Sequence, residues 1–367
     1  MKETVQKILD DADVKINGDR DWDIHVHNPD FYQRVLAQGS LGLGESYMEG
    51  WWEVKKLDEF IFRLMKVEID KKIISPLFVY HFIKAKVVNV QTKTGSKKVA
   101  ELHYNLGNEF YSDMLDKRMQ YTCAYWKDAK NLDEAQEKKL DMICKKLELK
   151  PGEKVLELGC GWGGFAKYAS EKYGVEVTAY NISKEQVKYA RDITKGLKVK
   201  IIESDYRDAK GRYDKIASIG MCEHVGYKNY RIFMELADKC LKDNGLFLIH
   251  TIGANKSKTH TDPWIDKYIF PNSMLPSARQ LTEAFEGKFV LEDWHNFGPD
   301  YDKTLMKWFE NFDKNWHKHK MKYDEKFYNM WKFYILSSAA AFRVRNIHLW
   351  QIILSKGRRP GTYNSIR

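Results

Sequence analysis

From about residue 102 onward, short apolar runs alternate with stretches whose apolar residues recur at helical spacing. The runs are KVLELG (154–159), VEVTAYN (175–181), LKVKIIES (197–204), YDKIASIG (213–220) and GLFLIHTIG (245–253). Each is of strand length and rich in β-branched, aliphatic or aromatic residues, so each predicts a strand. Leu140, Ile143 and Leu147 form a helical stripe that must stop at Pro151-Gly152, because proline has no amide proton to donate. Strands separated by helices are the pattern of a doubly wound parallel α/β sheet, in which ligands sit beyond the carboxyl ends of the strands. The residues that follow each run are therefore the first candidates for chemistry.

Residues 1–88 are patterned differently, as a smaller, mainly helical domain. Within it GSLGLGESYMEGWW (Gly39–Trp52) has the glycines of a phosphate loop without the Lys-Ser/Thr that should follow, and is expected to be a turn-rich loop. IISPLFVYHFIKAK (Ile73–Lys86) sets an aromatic-rich apolar run between Lys71/Lys72 and Lys84/Lys86. It reads as a buried helix or as a segment resting on a membrane with its lysines at the head groups. Residues 89–101, NVQTKTGSKKVAE, read as a flexible linker, and 102–367 as the catalytic domain.

Composition narrows the class. A chain of 367 residues accommodates two domains of the usual ~100–200 residues. No apolar run reaches the ~20 residues that span a bilayer, and MKETVQKILDDADVKI lacks a signal-type apolar block, so a soluble, unexported protein is expected. Five cysteines without CxxC spacing argue for reduced thiols in a cytoplasm and against a zinc ribbon. A formal net charge of +10 favours an anionic partner, either nucleic acid or an acidic membrane surface. Aromatic residues at 14%, with 11 Trp, fit an apolar or cation-handling pocket as well as an aromatic-rich core. No module with base-stacking aromatics interleaved with Lys/Arg is present, so a nucleic-acid partner is not expected.

After the first run, GCGWGG satisfies GxGxxG through Gly159, Gly161 and Gly164. A dinucleotide site would need an acid at the end of the second run, which instead closes Ala179-Tyr180-Asn181. VLELGCGWGG as a whole, with Glu157 two residues before Gly159, is similar to the cofactor loop of class I S-adenosylmethionine-dependent methyltransferases, which have a Rossmann-like sheet. That resemblance implies a backbone of Gly159, Cys160 and Gly161 close to the methionine moiety, with Glu157 facing its ammonium. Asn181, Ile182 and Gln186 fall where such enzymes hold ribose, and Asp205 and Tyr206 where they hold adenine. Ser183-x-x-Gln186 also reads as a helix capping box, and Asp205 also as a loop acid.

SIGMCEHVG (Ser218–Gly226) places Cys222, Glu223 and His224 in succession. Neighbouring positions rarely aim two ligands at one ion, and i,i+2 neighbours diverge, so neither a metal site nor a Cys-His nucleophile fits well; a packed thiol beside a paired acid remains open. Glu223 follows the fourth run and His250 closes GLFLIH of the fifth, so the two can converge beside a bound sulfonium. MQYTCAYW (Met119–Trp126) and DWHNFGPDYDKTLMKW (Asp293–Trp308) are also rich in candidate groups.

With GSLGLGESYMEGWW, HYNLGNEFYSDML, MQYTCAYWKDAKNL, GMCEHVGYKNY, HTIG, DPWIDKYIFPN, EDWHNFGPDYDKTLM and IHLWQ added to the loop, the sequence resembles the cyclopropane-fatty-acyl-phospholipid synthase family along nearly its whole length. The resemblance implies methylation of the cis double bond of an unsaturated phospholipid acyl chain, with the new carbon closing to a cyclopropane ring. It implies a bound bicarbonate ion as base, held by Glu223, His250 and Tyr301 and by backbone near Cys123 and Ile252, with Tyr121 and Thr122 against the cofactor. It further implies a homodimer; the basic balance and Ile73–Lys86 point to peripheral association with the inner face of an anionic membrane, and the ligand spacing gives no expectation of a metal. A methyltransferase acting on a small-molecule amine or hydroxyl is the alternative on the same scaffold.

Overall fold

The computed structural model describes residues 1–69, 106–357 and 359–367. The run Ile73–Lys86 and the linker 89–101 lie outside them. The described residues form two compact units, one of residues 1–69, 259–271 and 301–347, the other of 106–258, 272–300 and 348–367. The boundary expected near residue 100 is thus not the only one, because two later segments belong with the N-terminal helices.

The second unit is built on a seven-stranded sheet: β1 Lys154–Leu158, β2 Glu176–Asn181, β3 Val199–Glu203, β4 Tyr213–Ile219, β5 Leu241–Ala254, β6 Val290–Asn296 and β7 Ile347–Ser355. The strand order is β3-β2-β1-β4-β5-β7-β6. β1 pairs in parallel with β2 and β4, β2 with β3, and β4 with β5, whereas β6 and β7 are antiparallel. All five expected strands are present, the fifth starting earlier because it runs straight out of helix Tyr230–Cys240. Because the order reverses between β1 and β4, a crevice for ligand opens at their carboxyl ends.

Alternation along the strands sorts side chains to two cores. Leu156, Leu158, Phe247, Ile249 and Ile352 go to one face, with Tyr230, Phe233 and Met234. Val155, Leu246, Leu248 and Ile353 go to the other, with Leu140, Ile143, Leu147 and Phe165. By the two-residue period, Glu157, His250 and Gln351 share this second face, the one covered by helix Leu132–Lys146. That helix is capped by the side chain of Asn131, which accepts from Glu134 N at 2.9 Å.

In the first unit, helices Lys2–Asp10, Asp30–Gln38, Ser40–Met48 and Leu57–Lys66 pack with Pro263–Tyr268 and Glu325–Arg343. Trp52 is its aromatic centre, 5.0 Å from Tyr47, 5.2 Å from Phe60 and 5.9 Å from Phe31. The expected turn-rich loop at Gly39–Trp52 is instead helix Ser40–Met48. Its glycines permit close approach rather than turning: a Cβ on Gly42 would lie 2.5 Å from Arg34 O, and one on Gly44 2.4 Å from the Trp264 ring. Among the described residues no helix is long and apolar enough to cross a membrane.

Candidate active site

The loop after β1 turns through Gly159, Gly161 and Gly163 at φ +83°, +53° and +82°, a region that side-chain-bearing residues rarely adopt. The amides of Gly159 and Cys160 donate to Tyr180 O at 3.1 and 3.0 Å, tying the loop to the end of β2. Asn181 Nδ2 donates to Gly161 O and to Gln186 Oε1, both at 2.9 Å, so three expected cofactor residues are one cluster. Ser183 caps the helix Lys184–Ile193, yet the Gln186 side chain turns to Asn181 rather than back to the cap. The capping box is therefore half formed, leaving Gln186 at the loop. Ile182 is half-buried beside it.

Asp205 is buried with its carboxylate gripped by Arg207, at 2.7 Å from Nε to Oδ1 and 2.7 Å from Nη2 to Oδ2, and it also accepts from Arg207 N. The charge expected to face adenine is thus engaged within its own turn. Tyr206 packs edge-on to Phe233, with ring centroids 5.7 Å apart.

Glu157 is buried on β1, and its Oε2 has no hydrogen-bond partner. Burial pushes its carboxyl up to about 8, opposed by the charge of Lys139 and the amide of Ala166. Such a carboxylate gains most from an incoming cation. The Cys160 thiol is held well above its usual range by burial, so it stays protonated.

At the ends of β4 and β5, Glu223 sits in the single-turn helix Cys222–Val225, and Ile252 N donates to its Oε1 at 2.7 Å. The Ile252 backbone, expected near a bound ion, thus holds one oxygen of the Glu223 carboxylate. Glu223 Oε2 is buried with no hydrogen-bond partner, and burial raises this carboxyl to about 7 against the Ile252 amide. His250, 1% exposed, has Gln351 Nε2 at 3.2 Å from Nδ1. The other ring nitrogen, Nε2, is buried with no hydrogen-bond partner. Burial, followed by the charges of Lys139 and Lys146, keeps the imidazole neutral, far below its ordinary range. The site thus holds two buried polar atoms, Glu223 Oε2 and His250 Nε2, with no hydrogen-bond partner. Cys222 is fully buried with its thiol raised by burial, and His224 is lowered to about 4 by burial. Neither is set up for nucleophilic chemistry.

Tyr121 and Thr122 are half-buried, with Tyr121 edge-on to Tyr111 at 5.3 Å and Thr122 Oγ1 accepting from Lys139 Nζ at 2.9 Å. Cys123 is buried, its Sγ donating to Ala124 O at 3.1 Å. Tyr301 belongs to the first unit, its ring tilted against Phe342 at 4.5 Å and edge-on to Trp308 at 5.9 Å. Sequence reading missed Lys139 and Gln351. Lys139 adjoins Leu140 in the apolar stripe, a signal that could have been read; nothing in the sequence joins Gln351 to His250.

The reversed strand order, the positive-φ glycine loop and the acid on β1 together define a class I S-adenosylmethionine-dependent methyltransferase. A family model described as mycolic acid cyclopropane synthetase matches residues 91–352, and the chain belongs to that family. It is 48% identical over 361 residues to the cyclopropane-fatty-acyl-phospholipid synthase of Escherichia coli K12, covering 97% of this chain and 93% of that one. A cyclopropane synthase structure from Mycobacterium tuberculosis superposes with a TM-score of 0.67 at 27% identity, over 71% of this chain and 98% of that one. A mycolic acid cyclopropane synthase complexed with SAH and CTAB gives the same TM-score at 30% identity, again over 71% and 98%.

Proposed function

We propose that this protein transfers the methyl group of S-adenosylmethionine to the cis double bond of an unsaturated phospholipid acyl chain and closes a cyclopropane ring. The observation that carries the reading is the buried pair Glu223 Oε2 and His250 Nε2, polar atoms without a hydrogen-bond partner at neighbouring strand ends. The E. coli relative, 48% identical, carries the same activity in its name.

S-adenosylmethionine, when bound, supplies an electrophilic methyl group. Glu157 receives its amino group, and Asn181 and Gln186 accept and donate to ribose hydroxyls from the cluster they form with Gly161. An alkene is a weak nucleophile, so burial of Glu223 and His250, which excludes water, matters as much as alignment. The π electrons of the double bond would bond to the methyl carbon as its bond to sulfur breaks and S-adenosylhomocysteine leaves, and the acyl-chain cation would close to the ring as one proton of the new methyl passes to the base. Bicarbonate fits the open pair because it has both a hydroxyl to donate and oxygens to accept, and it supplies the base. Glu223 Oε2 accepts from the ion and His250 Nε2–H donates to it. A methyltransferase acting on an amine or hydroxyl has no need of that pair.

The net charge of +10 supports an anionic membrane surface as the source of the lipid, with the protein peripheral to its inner face; the family resemblance is the ground for a homodimer as the working form and for residues 1–88 as the lipid-associated module. The test is lipid mass spectrometry of a host that lacks cyclopropane lipids and expresses this chain. Unsaturated phospholipids should gain one CH2 and resist hydrogenation; unchanged lipids, or a methyl group on an amine or hydroxyl, would overturn the proposal. Turnover should fall in degassed buffer and recover with added bicarbonate, and vesicle binding should weaken with salt.

A further inference from the structure

Lys139 lies on helix Leu132–Lys146 with no exposed surface, in the stripe whose other members face the sheet. Its Nζ donates to Gln120 Oε1 at 2.6 Å and Thr122 Oγ1 at 2.9 Å. One turn earlier, Gln136 Nε2 donates to Thr122 O at 2.8 Å and Gln120 O at 3.4 Å. Two side chains at i,i+3 therefore hold both the side chains and the carbonyls of residues 120 and 122. Asp116 closes the preceding turn, accepting from Gln120 N at 2.8 Å and Arg118 N at 2.9 Å.

The segment so held is wedged between two glycines of the sheet's ligand edge. A Cβ on Gly164 would come within 2.2 Å of Gln120 Nε2, and one on Gly220 within 2.7 Å of Thr122 Cγ2. Gly164 opens the helix after the cofactor loop, and Gly220 immediately follows β4, three residues before Glu223. The segment thus joins the two halves of the crevice.

Packing alone does not explain a cation here. Both hydrogen bonds of the ammonium go to neutral oxygens, and a buried charge costs several-fold more than a neutral donor of the same reach. The groups that act on it through space are Asp116, Cys123 and Glu157, and it acts in turn on His250. Burial draws Lys139 down to about 8 and drives Glu157 up to about 8, each restrained by the other's charge.

We infer that Lys139 is a positioning residue of the methyl-transfer site. Its ammonium pins Gln120 and Thr122 so that the Tyr121–Cys123 backbone is fixed between Gly164 and Gly220, and its charge opposes the protonation that burial favours at Glu157, the group placed to receive the amino group of the cofactor. The inference rests on the methyltransferase reading above.

Two measurements on the full chain test it: S-adenosylmethionine binding by calorimetry between pH 6 and 9, and amide hydrogen exchange of residues 119–124 without cofactor. Lys139→Met should weaken binding about tenfold at pH 7 and move the pH midpoint of binding up by about one unit, with faster exchange in 119–124. Lys139→Arg should keep the wild-type midpoint, and in a Glu157→Gln background Lys139→Met should no longer move a midpoint but should still speed exchange in 119–124. If Lys139→Met does not fold, Lys139→Gln, which retains a donor without the charge, is read in the same two assays. An unchanged midpoint with unchanged exchange would overturn the inference. Failure of the wild-type chain to bind S-adenosylmethionine would overturn the methyltransferase reading instead, while the exchange comparison would still decide whether Lys139 fixes the segment.

Discussion

The amide of Ile252 donates to Glu223 Oε1 at 2.7 Å, so one strand end orients the carboxylate carried by the next. Only Oε2 is left to meet a ligand. Glu223→Gln should retain the Ile252 contact and lose the acceptor charge, lowering turnover on the order of 10²–10³-fold. Cofactor affinity measured by calorimetry should stay within about twofold, because Glu157 and the glycine loop are untouched. A parallel loss of affinity would assign Glu223 a structural role.

Gln351 Nε2 lies 3.2 Å from His250 Nδ1, so this side chain bears on which ring nitrogen carries the proton. Gln351→Leu should reduce turnover by about tenfold or more, as loss of a tautomer-fixing partner does elsewhere. Gln351→Glu should be worse, since an acceptor at that point recruits the proton to Nδ1 and leaves Nε2 without one. Equal kcat in all three proteins would mean that the tautomer is irrelevant.

Glu157 exchanges stability for affinity. Its carboxyl is raised from 4.5 to about 8 by burial, so the folded chain holds a proton that the unfolded chain has lost across that interval. Stability associated with this group is therefore full below about pH 4.5 and declines as pH rises through about 8. Glu157→Gln should raise the melting temperature at pH 8 and lessen that decline, while weakening S-adenosylmethionine binding.

Lys146 gives the opposite slope. Fully buried, with Nζ 3.0 Å from His295 Nδ1 and 3.8 Å from Asp293, it is lowered from 10.5 to about 7, chiefly by burial. Between those values the unfolded chain binds the extra proton, so this group's contribution is greatest above about pH 10.5 and is lost as pH falls to about 7. Lys146→Met should therefore gain stability over wild type at pH 7 and converge with it by pH 10, in denaturant titrations run as a pair.

Gly44 faces the Trp264 ring at a distance where a methyl group does not fit. Gly44→Ala should cost about 1–3 kcal/mol through overpacking, despite alanine's better helix propensity. Thermal unfolding would show it; a stabilised variant would mean that the Trp264 ring moves aside freely.

Much of the site was legible because its chemistry is carried by local patterns. VLELGCGWGG gave a strand, its turn and the acid before it, and Glu223 and His250 stood out by following strand-like runs. The Gly39–Trp52 stretch misled because composition cannot distinguish glycines that turn the chain from glycines that admit a Trp ring. β6 and β7 were not anticipated as strands: VLEDWHN of β6 has a mixed pattern that pairing resolves, whereas IHLWQIILS of β7 is an apolar run of strand length that could have been read.

What the sequence by itself determined is the doubly wound α/β core, the cofactor loop and its glycines, and the candidates Glu157, Glu223 and His250, since periodicity and backbone permissiveness are local properties. Tertiary structure alone decided which atoms of those residues remain open. Gln351 reaches His250 across 101 positions and Ile252 reaches Glu223 across 29. Lys139 reaches Thr122 from another element. Burial then set the charge state of each group, because the cost of an ion depends on surroundings assembled from distant parts of the chain.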